Sequence, residues 1–112
     1  MKLRNVIFYV SSMGIAVEFY KKLGFELAED FGNFISFTTD DSHIHFSLME
    51  DKTDTTKIPG KQVCVFYSDG IEGLYKKVKY LKINIATELY EAPFGKTFAI
   101  RNPDDNKIEF VQ

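Results

Sequence analysis

The chain runs through one order of patterns twice, and that repetition restricts the fold more than any other feature of its 112 residues. Residues 3–10, Leu-Arg-Asn-Val-Ile-Phe-Tyr-Val, are β-branched and aromatic and predict a strand. Ser11 and Ser12 follow as helix-capping types. Ala16, Phe19, Tyr20 and Leu23 then recur at helical spacing, with Glu18, Lys21 and Lys22 on the other side, and Gly24 stands where a terminating glycine belongs. Residues 25–30, 33–39 and 43–49 predict three strands joined by short polar turns. Residues 50–60 lose all periodicity and predict a mobile polar linker.

The order then restarts. Residues 62–67 predict a strand, and Asp69 with Glu72 has the spacing of a capping box. Ile71, Leu74, Tyr75 and Val78 form a second helical stripe. Residues 84–88, 96–101 and 107–112 predict three more strands, the last two joined by the turn-rich Asn102-Pro103-Asp104-Asp105-Asn106. The halves also echo each other in sequence. Asn5-Val-Ile-Phe-Tyr parallels Gln62-Val-Cys-Val-Phe, Phe19-Tyr20-Lys21-Lys22 parallels Leu74-Tyr75-Lys76-Lys77, and His43-Ile44-His45-Phe46 parallels Lys107-Ile108-Glu109-Phe110. Three parallels in one order argue for internal duplication. The expectation is an α+β chain: a single domain over 1–112, made of a βαβββ module over 1–50, a linker over 51–60 and a second βαβββ module over 61–112.

Each helix must bury its stripe on one face of its module's sheet, and strand side chains alternate between faces. The greasier set of each strand is expected under the helix: Val6, Phe8 and Val10; Ile44, Phe46 and Leu48; Val63, Val65 and Tyr67; Ile108 and Phe110. The remaining sets would share the opposite, concave face. That choice puts Asn5, Tyr9, His45, Gln62, Cys64 and Glu109 in a cleft, the combination of polar and apolar groups that a small-molecule site needs. Aromatics make up 15% of the chain, so some rings are available as cleft walls. Phe37 and Phe94 are the candidates, and Tyr90, Phe94 and Phe98 around Pro93-Phe94-Gly95 could form a lid. Cys64 is a candidate nucleophile whose simpler role is that of a small buried hydrophobe.

A net charge of −2 with no basic face argues against nucleic acid as a partner. No apolar run approaches the roughly 20 residues of a membrane span, and the start has no signal-peptide pattern. The single cysteine excludes an intrachain disulfide and a cysteine-built zinc site. A cytoplasmic location is the expectation.

Two phrases carry a family resemblance. Ala16-Val-Glu-Phe-Tyr-Lys-Lys-Leu-Gly-Phe25 and Gly95-Lys-Thr-Phe-Ala-Ile-Arg-Asn-Pro-Asp-Asp-Asn-Lys-Ile-Glu-Phe110 resemble the two signatures of the vicinal oxygen chelate superfamily, the glyoxalase, bleomycin-resistance and extradiol dioxygenase group. The resemblance spans nearly the whole chain. It implies paired βαβββ modules with curved mixed sheets around a cleft, and commonly a homodimer. In metal-dependent members of the group, ligands come from the first and last strand of each module, which implies Asn5, His45, Gln62 and Glu109 here. Histidine opens those first strands in many such enzymes, where this chain has Asn5 and Gln62. Glu109 alone matches directly. His45 is a good ligand type where glutamate is usual, and His43 is an off-motif candidate. Asp105 replaces the usual glycine of the final turn, in a conformation that Asp tolerates. Ser12 replaces an acidic residue common before the first helix.

A catalytic metal normally has about three protein ligands and an open position. His45 and Glu109 are two, and could hold nickel, zinc, manganese or iron; Asn5 and Gln62 could add amide oxygens. The leading expectation is a homodimer that binds a small organic ligand in a cleft, as bleomycin-resistance proteins do, without an intact catalytic metal site. Asn5 and His45 of one chain could then face Gln62 and Glu109 of the other. The alternative is a metal-dependent lyase, isomerase or dioxygenase acting on a small oxygenated substrate, with Glu109 or His45 moving the proton. Whether the chain is an enzyme stays open between these two. A third reading is a structural module without a ligand.

Overall fold

The computed structural model describes residues 1, 3–41, 44–60 and 62–112. His43, a candidate ligand by sequence, lies outside the described residues. The chain divides into two compact units, Met1–Gly60 and Lys61–Gln112. The first contains β1 (Asn5–Tyr9), α1 (Met13–Leu23), β2 (Leu27–Asp30), β3 (Phe34–Phe37) and β4 (His45–Met49). The second contains β5 (Val63–Tyr67), α2 (Ile71–Tyr80), β6 (Ile85–Ala92), β7 (Gly95–Arg101) and β8 (Lys107–Val111). Each is therefore a βαβββ module. The strand orders are β1-β4-β3-β2 and β5-β8-β7-β6, and in each sheet the first and last strands pair in parallel while the others are antiparallel.

In the first module the apolar stripe of α1 buries Met13, Ala16, Tyr20 and Leu23. Tyr20 is fully buried, and its ring lies 5.8 Å from Phe37, 5.0 Å from Phe46 and 5.7 Å from Phe25. Phe8 meets Phe46 edge to face at 5.3 Å. Edge-on and tilted ring contacts suit the aromatic quadrupole, and burying each large apolar side chain contributes about 1.5–3 kcal/mol. The second module repeats the arrangement with Ile71 and Val78 buried from α2, Tyr75 against Phe98 at 5.1 Å, and Phe98 against Phe110 at 5.1 Å.

Both helices begin in the same way, and not as the sequence suggests. Ser12 occupies the N-cap of α1 but its side chain makes no capping bond, and Gly70, not Asp69, is the N-cap of α2. The first helical N–H groups are met from a distance. Met13 N donates to Glu50 Oε2 at 3.3 Å, and Ile71 N donates to Gln112 Oε1 at 3.0 Å. Each acceptor is the residue immediately after the module's last strand. Glu72 pairs instead with Lys96 of β7. Gly24 ends α1 in the left-handed conformation, φ 105°, as its position predicts. Asp105 holds φ 64° in the final turn, where Asn102 Oδ1 accepts from Asp104 N and Asn106 N.

The matching caps fix the residue-level equivalence of the two modules. Val10 N donates to Met49 O and Ser68 N to Val111 O; Glu50 N donates to Asn33 O and Gln112 N to Lys96 O. Asn5 therefore corresponds to Val63, His45 to Lys107 and Ser47 to Glu109. The sequence alignment that equates Asn5 with Gln62 and His45 with Glu109 is out of register. It slips because short apolar strands resemble each other in more than one frame.

One strand face is the reverse of the expectation. In β5, Val63, Val65 and Tyr67 are exposed, while Phe66 stacks on Phe110 at 6.0 Å and Cys64 pairs in register with buried Ile108. Cys64 thus belongs to the helix side and not to the opposite face expected for it, and burial pushes its thiol pKa up. Phe37 is likewise fully buried against Tyr20 and Phe46, so it is a core ring and not a ligand contact.

Residues 51–60 group with the first unit and carry local bonds. Asp51 Oδ1 accepts from Thr53 N at 3.0 Å and Thr53 Oγ1 at 2.7 Å, Asp54 Oδ1 accepts from Thr56 N and Thr56 Oγ1, and Lys57 Nζ sits 2.9 Å from Asp51 Oδ2. The Lys57 ammonium, with Thr53, holds the Asp51 carboxyl well below the usual carboxylate range. A depressed carboxylate pKa favours the ordered turn above the ordinary aspartate range, and the preference fades as pH falls through the lowered value.

The caps give a direct prediction. Glu50→Ala should cost about 1 kcal/mol, as N-cap losses do, and lower Tm by about 4–8 °C in thermal unfolding. Glu50→Gln should cost only a few tenths of that, because Gln112 shows that an amide oxygen serves the same position. A second prediction concerns Cys64: iodoacetamide at pH 8 should alkylate it much more slowly than free cysteine, with the rate recovering in denaturant.

Candidate functional site

The face of each sheet away from its helix carries the candidate residues. In the first module, alternation places Asn5, Ile7 and Tyr9 of β1 on that face with His45, Ser47 and Met49 of β4, and with Phe34 and Ser36 of β3. Asn5 and His45 are register partners across the parallel pair, and Ser36 and Ser47 are partners across the antiparallel one. Three side chains are joined in a line: Ser36 Oγ lies 3.0 Å from Ser47 Oγ, and Ser47 Oγ donates to Asn5 Oδ1 at 2.7 Å. Both serines are buried. His45 is half-buried, and its Nδ1 has no hydrogen-bond partner among the described residues. Tyr9 is half-buried at the end of β1 and contributes to the electrostatic surroundings of Lys57.

In the second module the corresponding face carries Val63, Val65 and Tyr67 of β5, Lys107, Glu109 and Val111 of β8, and Thr97, Ala99 and Arg101 of β7. Lys107 Nζ lies 2.9 Å from Glu109 Oε1, and both side chains are about one-third exposed. A recess of about 70 Å³ is lined by Thr87, Tyr90, Phe94, Thr97, Phe98, Ala99, Lys107 and Glu109. Phe94 stands at the tip of the β6–β7 hairpin, 67% exposed, while Phe98 turns to the helix side and is fully buried. Of the three aromatic residues proposed for a lid, two, Tyr90 and Phe94, are therefore at this face. Gly95 makes the hairpin possible: it holds φ 134°, and a Cβ there would lie 2.1 Å from the carbonyl oxygen of Gln112.

The sequence candidates thus separate. Asn5 and His45 come together on one face, and Glu109 lies on the other module's equivalent face. Gln62 precedes β5 and alternates with Val63, so it belongs with Cys64; its backbone N–H donates to Asn106 Oδ1 at 2.8 Å. Sequence reading put Ser47 and Lys107 in the cleft-facing sets without making them site candidates, and it left Ser36 unplaced. The signal for two of them was present, since Ser47 and Lys107 sit two residues from His45 and Glu109 and must share their faces.

A divalent metal can be tested against these donors. Among the described residues no group of three or more histidine, cysteine or carboxylate side chains is arranged to hold one. In the first module the neighbours of His45 on its face are hydroxyls and an amide whose oxygen already accepts from Ser47. In the second, Glu109 is paired with a lysine ammonium. Among the described residues of either module the donor set falls short of the usual three ligands.

The fold has many relatives of known structure. UcmS2 superposes with a TM-score of 0.85 at 19% identity, over 99% of this chain and 97% of that one. TnmS3, an antibiotic binding protein from Streptomyces sp. CB03234, gives 0.83 at 18% identity over 100% and 95%. A lactoylglutathione lyase from Agrobacterium tumefaciens gives 0.78 at 18% identity over 98% and 92%. At these identities the likeness establishes the fold alone. No curated protein matches the sequence. Residues 2–110 match the sequence pattern of a single family across both modules, and the chain belongs to the Glyoxalase/Bleomycin resistance protein/Dioxygenase superfamily.

Proposed function

We propose that this protein binds a small organic ligand on the open sheet faces of its modules and does so without a catalytic metal. The observation that carries this reading is the second module's open face. Val63, Val65 and Tyr67 are exposed there, Tyr67 to 73%, beside a recess that combines the Tyr90 and Phe94 rings with a Lys107–Glu109 ion pair. Contiguous exposed apolar surface around a few fixed polar groups is the usual composition of a ligand site. The ligand expected is one with a flat apolar body for the rings and a polar group for Lys107 or Glu109. Similarity to an antibiotic binding protein makes antibiotics the first ligands to try.

The enzymatic alternative draws support from the likeness to a lactoylglutathione lyase. It would need a third strong ligand beside His45 or Glu109. A homodimer belongs to the proposal on general grounds, since twofold closure is the commonest assembly for short chains. Light scattering should give twice the chain mass.

Thermal unfolding in the presence of metal-free bleomycin and a set of aromatic antibiotics tests the main reading. A ligand at about 100 times its Kd should add about 2.7 kcal/mol and raise Tm clearly. Tyr67→Ala and Phe94→Ala should each weaken that binding by about tenfold, as loss of an aromatic anchor does. The reading is overturned if none of these ligands shifts Tm while nickel- or zinc-loaded protein isomerises the methylglyoxal–glutathione hemithioacetal and loses that activity in Glu109→Gln.

A further inference from the structure

We infer that the recess of the second module takes a primary carboxamide, a neutral group with one carbonyl oxygen and two N–H donors, carried on a flat apolar ring. This rests on the ligand-binding reading above and names the polar group that the site accepts.

Three of the groups lining the recess have a fixed hydrogen-bonding sense. The Lys107 ammonium can only donate. The Glu109 carboxylate can only accept; its Oε1 is held by Lys107 Nζ at 2.9 Å, which leaves Oε2 to accept from a ligand. Thr97 Oγ1 donates to the carbonyl oxygen of Phe110 at 2.8 Å. A carbonyl has no proton to give, so the direction of that bond is settled, and the threonine oxygen can only accept from any further partner. Thr97 is 5% exposed, so water does not readily take over the bond. The Thr87 hydroxyl serves in either sense. One donor and two acceptors are complemented by one carbonyl oxygen and two N–H groups, which is the inventory of a primary carboxamide.

Charge selects in the same direction. Strand register places Glu109 between Val65 and Ala99, and Lys107 between Val63 and Arg101. Lys107 is therefore the cation that balances Glu109. A ligand carboxylate would draw Lys107 away and leave Glu109 between two apolar neighbours. A ligand ammonium would draw Glu109 away and leave Lys107 beside Arg101. Depriving one member of a partly buried pair of its partner is the costly event. A neutral amide joins the pair without separating it. Size assigns the ring to the outside. The recess is about 70 Å³, well below the roughly 300–1,000 Å³ that encloses a drug-sized ligand, so it admits the head group alone. Exposed Val63 and Val65 on one flank, and Tyr90 and Phe94 on the other, supply the apolar contact for the ring.

NMR titration of the 15N-labelled full chain tests this with four probes of one ring system: 2-naphthamide, 2-naphthoate, 2-naphthylmethylamine and N,N-dimethyl-2-naphthamide. The naphthamide should shift the backbone signals of Thr97, Ala99, Lys107 and Glu109 and bind about tenfold more tightly than each of the others, the scale of one lost hydrogen bond to a charged group. Naphthoate, amine or dimethylamide binding as tightly as the naphthamide overturns the inference. Thr97→Val should weaken the naphthamide about tenfold and leave the dimethylamide unchanged. Glu109→Gln should turn the preference to naphthoate, and Lys107→Met should turn it to the amine, because each leaves one charge uncompensated. Equal weakening of all four probes in these variants means a merely structural pair and overturns the selection. Failure of every naphthyl probe to bind wild type also overturns it, whereas the ligand-binding reading is decided separately by the antibiotic thermal shifts.

Discussion

Parallel pairing of the first and last strand is the constraint from which each module's geometry follows. A parallel neighbour must run in the same direction, so the end of β4 lies beside the end of β1, where the chain turns into α1. The residue after β4 is then within reach of the helix N-terminus, and Glu50 supplies the acceptor that Ser12 does not. Gln112 does the same for α2. A helix end left with unsatisfied N–H groups would be costly if buried, and here the sheet itself satisfies one of them. The cap thereby couples helix to sheet, so local helix formation and long-range strand pairing stabilise each other.

With the helix fixed over one face, strand alternation sends every second side chain to the other face. In the first module that face combines Asn5, His45 and two buried serines with Ile7, Tyr9, Phe34 and Met49. In the second it is apolar and aromatic around a lysine–glutamate pair. The two modules share the caps and the core stripes, while their open faces carry different side chains. That division fits a family whose fold is shared far more widely than any one activity.

Much of the frame was legible in the chain. Apolar spacing located both helices, and strand runs located all eight strands because their period differs from that of a helix. Gly24 and the Asn102–Asn106 turn announced themselves through residues with unusual backbone tolerance. The sites were less legible. Alternation along the strands was enough to propose Asn5, His45 and Glu109, but the Ser36–Ser47 link needed the pairing of β3 with β4, which joins residues with no local signal.

By itself the sequence determined the order of elements, the twofold repetition and the helix-facing sides of β1, β4 and β8, because each of these follows from periodicity within a short window. Only the tertiary structure decided which way β5 faces. Its more apolar set, Val63, Val65 and Tyr67, lies outside, since register with β8 puts Cys64 and Phe66 beside Ile108 and Phe110 under α2. The tertiary structure likewise decided which residues cap the helices and that Asn5 meets Ser47, because the partners in each case come from segments far away in the chain. Local composition records how much a residue gains from burial; it carries no information on which neighbour will be there to bury it.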